Sequence, residues 1–235
     1  MIDYLAPKCR PSTLDSYGNV RLLLDAVRRA LGGFKGEVLD VGCGRMPYKR
    51  LILSSISRVT SCIGLDLATS DYGVADLFWD GQTIPLPNAS VDTAMLTEVL
   101  EHCPDGEAVL REVHRVLRPG GFLFLTVPFI WPIHCVPYDE FRYTPFSLRR
   151  LLEKAGFPNP AIEATGGRHA VLAVILGLWV RRRPLSSRVH VVTKRVLSWL
   201  LAPLIWLLME IDDRPDQLAE STLFVGLSVA VHKPL

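Results

Sequence analysis

The sequence predicts an α/β fold with a mostly parallel sheet. Three observations lead there: apolar runs of strand length alternate with amphipathic runs of helix length, the first strand empties into a Gly-x-Gly loop, and a Pro-Gly-Gly stop precedes the fifth strand. Strands and helices alternating at this spacing build right-handed βαβ units.

Residues 20–31 (VRLLLDAVRRAL) place apolar side chains at helical spacing, and Gly32-Gly33 ends that helix. Glu37 to Val41 reads as a buried strand running into Gly42-Cys43-Gly44. A short helix from Pro47 to Ile56 follows, since proline suits a first helical turn. Ser61 to Leu67 and Val74 to Phe78 are the second and third strands, and Val91 to Leu96 is the fourth. An amphipathic helix over 105–117 closes at Arg118-Pro119-Gly120-Gly121, and Phe122 to Val127 is the fifth strand. Pro128 to Pro145, rich in proline and aromatics, forms a structured loop over the carboxyl edge, where such sheets bind ligands. Residues 146–155 form another helix, stopped by Gly156, and Thr222 to Val231 is the terminal strand.

A length of 235 residues suits a single domain over 1–235, with a core at about 20–165 and 220–233 and an apolar helical insertion at about 168–212. Within the insertion, residues 170–180 and 196–209 are dense apolar runs, separated by Arg181, Arg182, Arg183, Arg188, Lys194 and Arg195. Each run falls short of the ~20 apolar residues of a spanning helix, and Pro203 interrupts the second. Two readings stay open. The helices lie in a membrane interface, with tryptophan and arginine at headgroup level, or they pack on the sheet or form a homodimer.

The formal net charge of +2 argues against a dedicated nucleic-acid binder. The mean hydropathy of +0.25 is high for a soluble domain, and the excess concentrates in the last third. The five cysteines, Cys9, Cys43, Cys62, Cys103 and Cys135, are odd in number and form no C-x-x-C pair. That points to a reducing, cytoplasmic setting, extended by the apolar runs to a peripheral place at the inner membrane face. Asp3 and Pro7 stand where a secretory signal would have a basic region and an apolar run. His102-Cys103 and His134-Cys135 raise the question of zinc, but adjacent residues seldom ligate one ion and no second pair stands at finger spacing. No metal is expected.

Gly42 and Gly44 permit positive φ and a close approach of ligand to backbone. Alone they describe any tight turn. Asp66, closing Gly64-Leu65-Asp66-Leu67, lies roughly 20 residues beyond the loop, where Rossmann-like domains hold a ribose diol. A nicotinamide dinucleotide would want a third glycine where this chain has Pro47. S-adenosylmethionine (SAM) has no pyrophosphate and instead needs a carboxylate such as Asp40 near its ammonium group.

The runs VLDVGCG, GLDL, VADL and VDTAMLTEVLEH…LREVHRVLRPGGFLFLTVP, in that order over about residues 36–157, resemble the class I SAM-dependent methyltransferases of the type 11 group. The resemblance continues through HCVPYDEFRYTPFSLRRLLEKAGF, similar to a subgroup common in glycan, lipid and natural-product pathways. It implies a Rossmann-like α/β fold whose mostly parallel seven-stranded sheet carries a helical insertion before the last strand. It also implies that Asp40, Gly42, Cys43 and Gly44 cradle the methionine part of SAM. Asp66 and Leu67 would hold the ribose and flank the adenine, Asp76 and Leu77 would meet the adenine edge, and Thr97-Glu98 would lie beside the cofactor. Met46 stands where that group commonly has a third loop glycine.

Methyl transfer from a sulfonium is driven largely by orientation, and a base is needed only where the nucleophile arrives protonated. Glu101, His102 and His134 are the candidates, with Asp139 nearby. His134 lies in the loop after the fifth strand and has a suitable unperturbed pKa. A loop hydrogen bond for His134 and a cap or packing role for His102 remain open. Tyr138, Arg142 and Tyr143 line the acceptor pocket or, for Arg142, pair with Asp139 or Glu140 to order the loop. The leading function is methylation, at oxygen, of a small-molecule, glycan or lipid-linked acceptor. The alternatives are an inert SAM-binding or scaffold protein and a nicotinamide oxidoreductase.

Overall fold

The computed structural model describes residues 3–54, 58–182 and 188–235, with the side chains of 188–190 excepted. The chain groups into two compact units, Met1–Ala26 with Ala164–Gly226, and Val27–Glu163 with Leu227–Leu235.

The second unit carries nearly all of a seven-stranded sheet: β1 (Lys35–Val41), β2 (Arg58–Leu67), β3 (Leu77–Trp79), β4 (Val91–Thr97), β5 (Leu117–Pro128), β6 (Ala161–Thr165) and β7 (Gly226–His232). Their order is β3-β2-β1-β4-β5-β7-β6. The pairs β1–β2, β1–β4, β2–β3 and β4–β5 are parallel. Lys233, just past β7, exchanges backbone bonds with Gly120 and Gly121 near the start of β5, so β7 runs antiparallel to β5. The chain winds one way from β1 to β3 and the other way from β4. The carboxyl ends of β1 and β4 therefore flank the switch point, where open α/β sheets receive ligands. Helices α2 (Lys49–Ser54), α3 (Gly106–Val116) and α4 (Pro145–Lys154) complete this unit. The core is apolar on β1, β4 and β5, where Val38, Leu39, Ala94, Met95, Leu96, Leu123 and Leu125 are fully buried.

Several elements depart from the sequence expectation. Helix α1 (Leu14–Ala30) starts six residues earlier than expected. Its i, i+3 apolar line continues back through Tyr17 and Leu14, both buried, past a Gly18-Asn19 pair of low helix propensity. Strand β5 begins at Leu117, not Phe122, because the Pro-Gly-Gly segment is a bulge within the β4–β5 pairing: Val91 faces Leu117 and Thr93 already faces Phe122. Strand β3 is shifted to Leu77–Trp79, and α2 begins at Lys49 and not at Pro47, while the expected end at Ile56 lies outside the described residues. Strand β6 went unpredicted; its AIEAT sequence is poor in strand formers and is held by its neighbour β7.

In the first unit, α5 (Arg168–Arg181) and α6 (Arg188–Glu210) follow one another. The Asp212 carboxylate accepts from Gly167 N and Ala170 N, each at 2.8 Å, and so caps α5 from a distance. A Cβ at Gly177 would fall 2.1 Å from the Leu14 carbonyl oxygen, so α5 passes against the chain there with no room for a side chain. Arg21 binds Glu210 bidentately at 2.7 and 3.2 Å. Helix α6 continues through Pro203, which corrects the expectation that its apolar run is too short: Val191–Glu210 is long and apolar enough to cross a membrane by length and composition. Only 22% of that stretch is buried, and Trp199 is 71% exposed. Arg183 lies outside the described residues.

Candidate active site

The carboxyl end of β1 delivers Asp40 into the sheet interior, followed by the turn that leaves the strand. Asp40 is 1% exposed, and its Oδ1 has no hydrogen-bond partner among the described residues. Burial, reinforced by the nearby Asp66 charge and opposed by Lys49, raises its pKa to about 8. Gly42 and Gly44 have φ of +65° and +53°, as the sequence requires, and a Cβ at Gly42 would lie 2.5 Å from Val99 Cγ2. The turn is tied to β2 by Cys43 N donating to Leu65 O at 3.0 Å and Gly44 N donating to Asp66 Oδ2 at 3.2 Å.

Asp66 also accepts from Leu67 N at 2.8 Å and Ser70 Oγ at 2.9 Å. A carboxylate offers about four acceptor positions, so three bonds leave one for a ligand, and the Ser70 hydroxyl can rotate to release another. Asp76 Oδ2 accepts from Gly64 N at 2.8 Å and from Lys49 Nζ at 3.4 Å; these bonds hold its pKa below the ordinary carboxylate value. Asp76 therefore joins the entry of β3 to β2, and Leu77 lies in register with Leu65. Leu67 is 43% exposed at the end of β2. Met46, at the position of the missing glycine, adopts φ +49° and is buried; a Cβ at Gly64 would lie 2.8 Å from its Sδ.

At the end of β4, Thr97 faces Thr126 of β5. Glu98 takes φ +56°, a costly conformation for a non-glycine residue. It is locked to β5 by its N–H donating to Thr126 Oγ1 at 3.2 Å and by Thr126 Oγ1 donating to Glu98 Oε1 at 3.0 Å. Burial lifts the Glu98 pKa to about 7, against the Thr126 hydrogen bond and the Arg142 charge. Glu101 is fully buried; desolvation and the Glu98 charge push its carboxyl well above the usual range. Among the described residues neither of its carboxyl oxygens has a hydrogen-bond partner, and Oε1 lies 3.6 Å from His102 Nε2.

His102 directs Nδ1 at the Tyr138 carbonyl oxygen, 2.9 Å away, and its ring meets that of His134 edge-on at 4.7 Å. His134 Nδ1 lies 3.2 Å from Asp139 Oδ2, which also accepts from the His134 N–H. Arg142 grips Asp139 with both nitrogens, at 2.6 and 2.9 Å, and donates to the Trp131 and Pro132 carbonyls. The Arg142 guanidinium holds the Asp139 carboxyl far below its ordinary range, while burial holds His134 below the usual histidine value. Of the two readings of Arg142, pairing with Asp139 is the observed one. Tyr143 is buried and donates to the Leu100 carbonyl oxygen at 3.3 Å, fastening the loop, whereas Tyr138 is 65% exposed.

The structure thus gathers Asp40, Gly42, Cys43, Gly44 and Asp66 around the turn that leaves β1, and Glu101, His102 and His134 into one cluster. Sequence reasoning missed Lys49, Val99 and Ser70. Only Ser70, four residues past Asp66, offered a local signal.

Residues 39–125 match the family model described as a methyltransferase domain. A malonyl-[acyl-carrier protein] O-methyltransferase of Serratia marcescens is 35% identical over 98 residues, 38% of this chain and 37% of its own. A ubiquinone biosynthesis O-methyltransferase of Aromatoleum aromaticum is 31% identical over 118 residues, 45% of this chain and 49% of its own. The chain thus spans half or less of the length of these relatives. The crystal structure of a SAM-dependent methyltransferase of Thermotoga maritima superposes with a TM-score of 0.59 at 17% identity, covering 94% of this chain and 91% of its own; at that identity the likeness is one of fold.

Proposed function

With residues 39–125 a methyltransferase domain of the SAM-dependent type 11 group, we propose that the chain methylates an oxygen of a small-molecule, glycan or lipid-linked acceptor. The observation that carries the reading is the buried Asp40 carboxyl, with an unpartnered oxygen, behind a glycine turn already tied to Asp66. An unsatisfied buried carboxyl costs free energy that an incoming ammonium group recovers. The residues fit SAM: Asp40 for the amino group, the side-chain-free Gly42 and Gly44 for close approach of the methionine part to the backbone, and Asp66 for the ribose hydroxyls. Leu67, Asp76 and Leu77 are assigned to the adenine side, and Thr97 and Glu98 to the cofactor's flank. When bound, SAM supplies a methyl group already activated on a sulfonium.

The chain's own residues then have two tasks. The first is to hold the acceptor in line, the work of the 129–144 loop that Arg142 fastens through Asp139 and two carbonyls. The second is to take a proton from a hydroxyl acceptor. His134 suits it, since Asp139 holds Nδ1 and leaves the lone pair on Nε2, and its lowered pKa keeps the ring neutral at pH 7. Glu101 and His102 support that group from the end of β4. Both relatives described above are named as O-methyltransferases, which favours oxygen.

The same reading puts the chain in the cytoplasm, held at the inner membrane face by the apolar side of α5 and α6. Leu172, Ile175 and Trp179 on α5, and Val192, Trp199 and Trp206 on α6, are each 45% exposed or more. Exposed apolar and tryptophan side chains beside Lys194 and Arg195 are the composition of an interfacial helix. A second copy of the chain covering this face is the alternative.

Calorimetric titration tests the central reading. Binding of SAM and S-adenosylhomocysteine with no response to NADH is expected; NADH binding without either SAM form would overturn it. A mass-spectrometric screen for the gain of one methyl group then identifies the acceptor class.

A further inference from the structure

We propose that His102, His134 and Cys135, beside the buried Glu101 carboxyl, form a binding site for a divalent cation of the zinc class. One ring nitrogen of each histidine and Cys135 Sγ lie within 4.8 Å of one another. A tetrahedral zinc ion with bonds of ~2.0–2.3 Å sets its ligand atoms roughly 3.3–3.8 Å apart, so side-chain rotation of about an ångström closes the site. Spacing along the chain conceals this cluster, because His102 follows β4 and the other two follow β5. Consecutive residues can both contribute here because Cys135 takes φ +49°, a left-handed turn immediately after His134.

The surroundings are arranged as for metal-binding imidazoles. His102 Nδ1 is held by the Tyr138 carbonyl oxygen and His134 Nδ1 by the Asp139 carboxylate, which is itself clamped by Arg142. With a proton on each Nδ1, both rings present an Nε2 lone pair, and carboxylate–histidine–metal is a standard outer-shell pairing. Glu101 supplies the independent observation. It is fully buried, both carboxyl oxygens lack a hydrogen-bond partner among the described residues, and Oε1 sits 3.6 Å from His102 Nε2. A cation beside this buried carboxyl would favour its ionised form and recover part of the cost of its burial. Two imidazoles and one thiolate select zinc, or cobalt as its spectroscopic substitute, over magnesium or calcium, which prefer all-oxygen shells. With the ion seated, the His134 lone pair is committed to it and is withdrawn from the base role. That extension rests on the methyl-transfer reading; cation binding itself does not.

The test uses tag-free full-length protein stripped with chelator and titrated with Zn²⁺, Co²⁺ and Mg²⁺, each as the metal alone. One equivalent of Zn²⁺ or Co²⁺ should bind and Mg²⁺ should not. The Co²⁺ form should show intense tetrahedral visible bands and a thiolate charge-transfer band. Cys135→Ser should remove the charge-transfer band, which assigns the sulfur to Cys135 and not to the other four cysteines. His102→Gln and His134→Gln should each weaken Zn²⁺ at least a hundredfold, and Asp139→Asn should weaken it about 10–100-fold. Thermal melts confirm that each variant is folded, and the Cys135→Ser spectrum decides the matter should a histidine variant fail to fold. No stoichiometric Zn²⁺ or Co²⁺ binding, or a charge-transfer band that survives Cys135→Ser, overturns the proposal. SAM titration of the same preparation separates the two readings: SAM binding without metal sinks only this site, and metal binding without SAM sinks only the proposed function.

Discussion

The Gly44 amide donates to the Asp66 carboxylate across 3.2 Å, so the glycine turn after β1 and the acid ending β2 are already coupled in the chain alone. Asp66 orders the turn and offers its remaining acceptor capacity to a diol. Asp66→Ala is therefore expected to weaken SAM binding by about 1.5–3 kcal/mol, the range for hydrogen bonds to a charged group. Calorimetry on the folded variant checks it; unchanged affinity would place the ribose elsewhere.

Asp40 gives a pH dependence with a definite sign. Its pKa in the fold, about 8, lies above the ordinary aspartate value of 3.8, so the folded chain holds a proton that the unfolded chain releases between those values. Its contribution to stability is complete below pH 3.8 and is lost as pH rises from there through 8. Asp40→Asn should accordingly gain melting temperature relative to the parent at pH 8 and show little gain at pH 4, while losing SAM binding. In the parent, pairing with an ammonium group ionises Asp40, so SAM affinity should rise from pH 6 to 7 by up to about tenfold. An affinity that is flat over that interval would show Asp40 already ionised.

Gly42 is constrained twice, by φ +65° and by Val99 Cγ2 standing 2.5 Å from where a Cβ would be. Gly42→Ala should destabilise the fold by about 1–3 kcal/mol. Adding Val99→Ala should restore the steric part and leave the backbone part. A double variant no more stable than Gly42→Ala in chemical denaturation would show that φ alone sets the cost.

His134→Ala should slow single-turnover methylation by about a hundredfold or more with SAM affinity nearly intact. Arg142→Met should slow it by up to about a hundredfold through misplacement of the loop, again without touching SAM. Wild-type single-turnover rates in the His134 variant would leave orientation as the source of catalysis.

Flotation with liposomes examines α5 and α6. Binding should strengthen with anionic lipid at about 1 kcal/mol per basic residue near the surface, and weaken with salt. Replacing Arg181, Arg182 and Arg183 with glutamate should abolish the anionic preference and leave SAM binding alone. A chain that ignores liposomes of every composition and sediments as a dimer would assign the apolar face to a second copy.

What the sequence determined by itself is local. The Gly42-Cys43-Gly44 turn, the acid at Asp66, the strands at β1, β2 and β4 and the helices α3 and α4 are legible because each rests on a neighbouring signal: a φ only glycine adopts cheaply, a period of two or 3.6, or a cap. Tertiary structure decided what depends on partners distant in the chain. Strand β6 exists because β7 is beside it, and 118–121 is a bulge because β4 and β5 pair on both sides of it. Helix α6 runs unbroken through Pro203, which local propensity opposes. The cluster of Glu101, His102, His134 and Cys135 joins the ends of two parallel strands, and parallel pairing separates such ends by a whole crossover helix. Sequence spacing carries no trace of a contact made across that distance, so whether two histidines meet is settled only when the sheet closes.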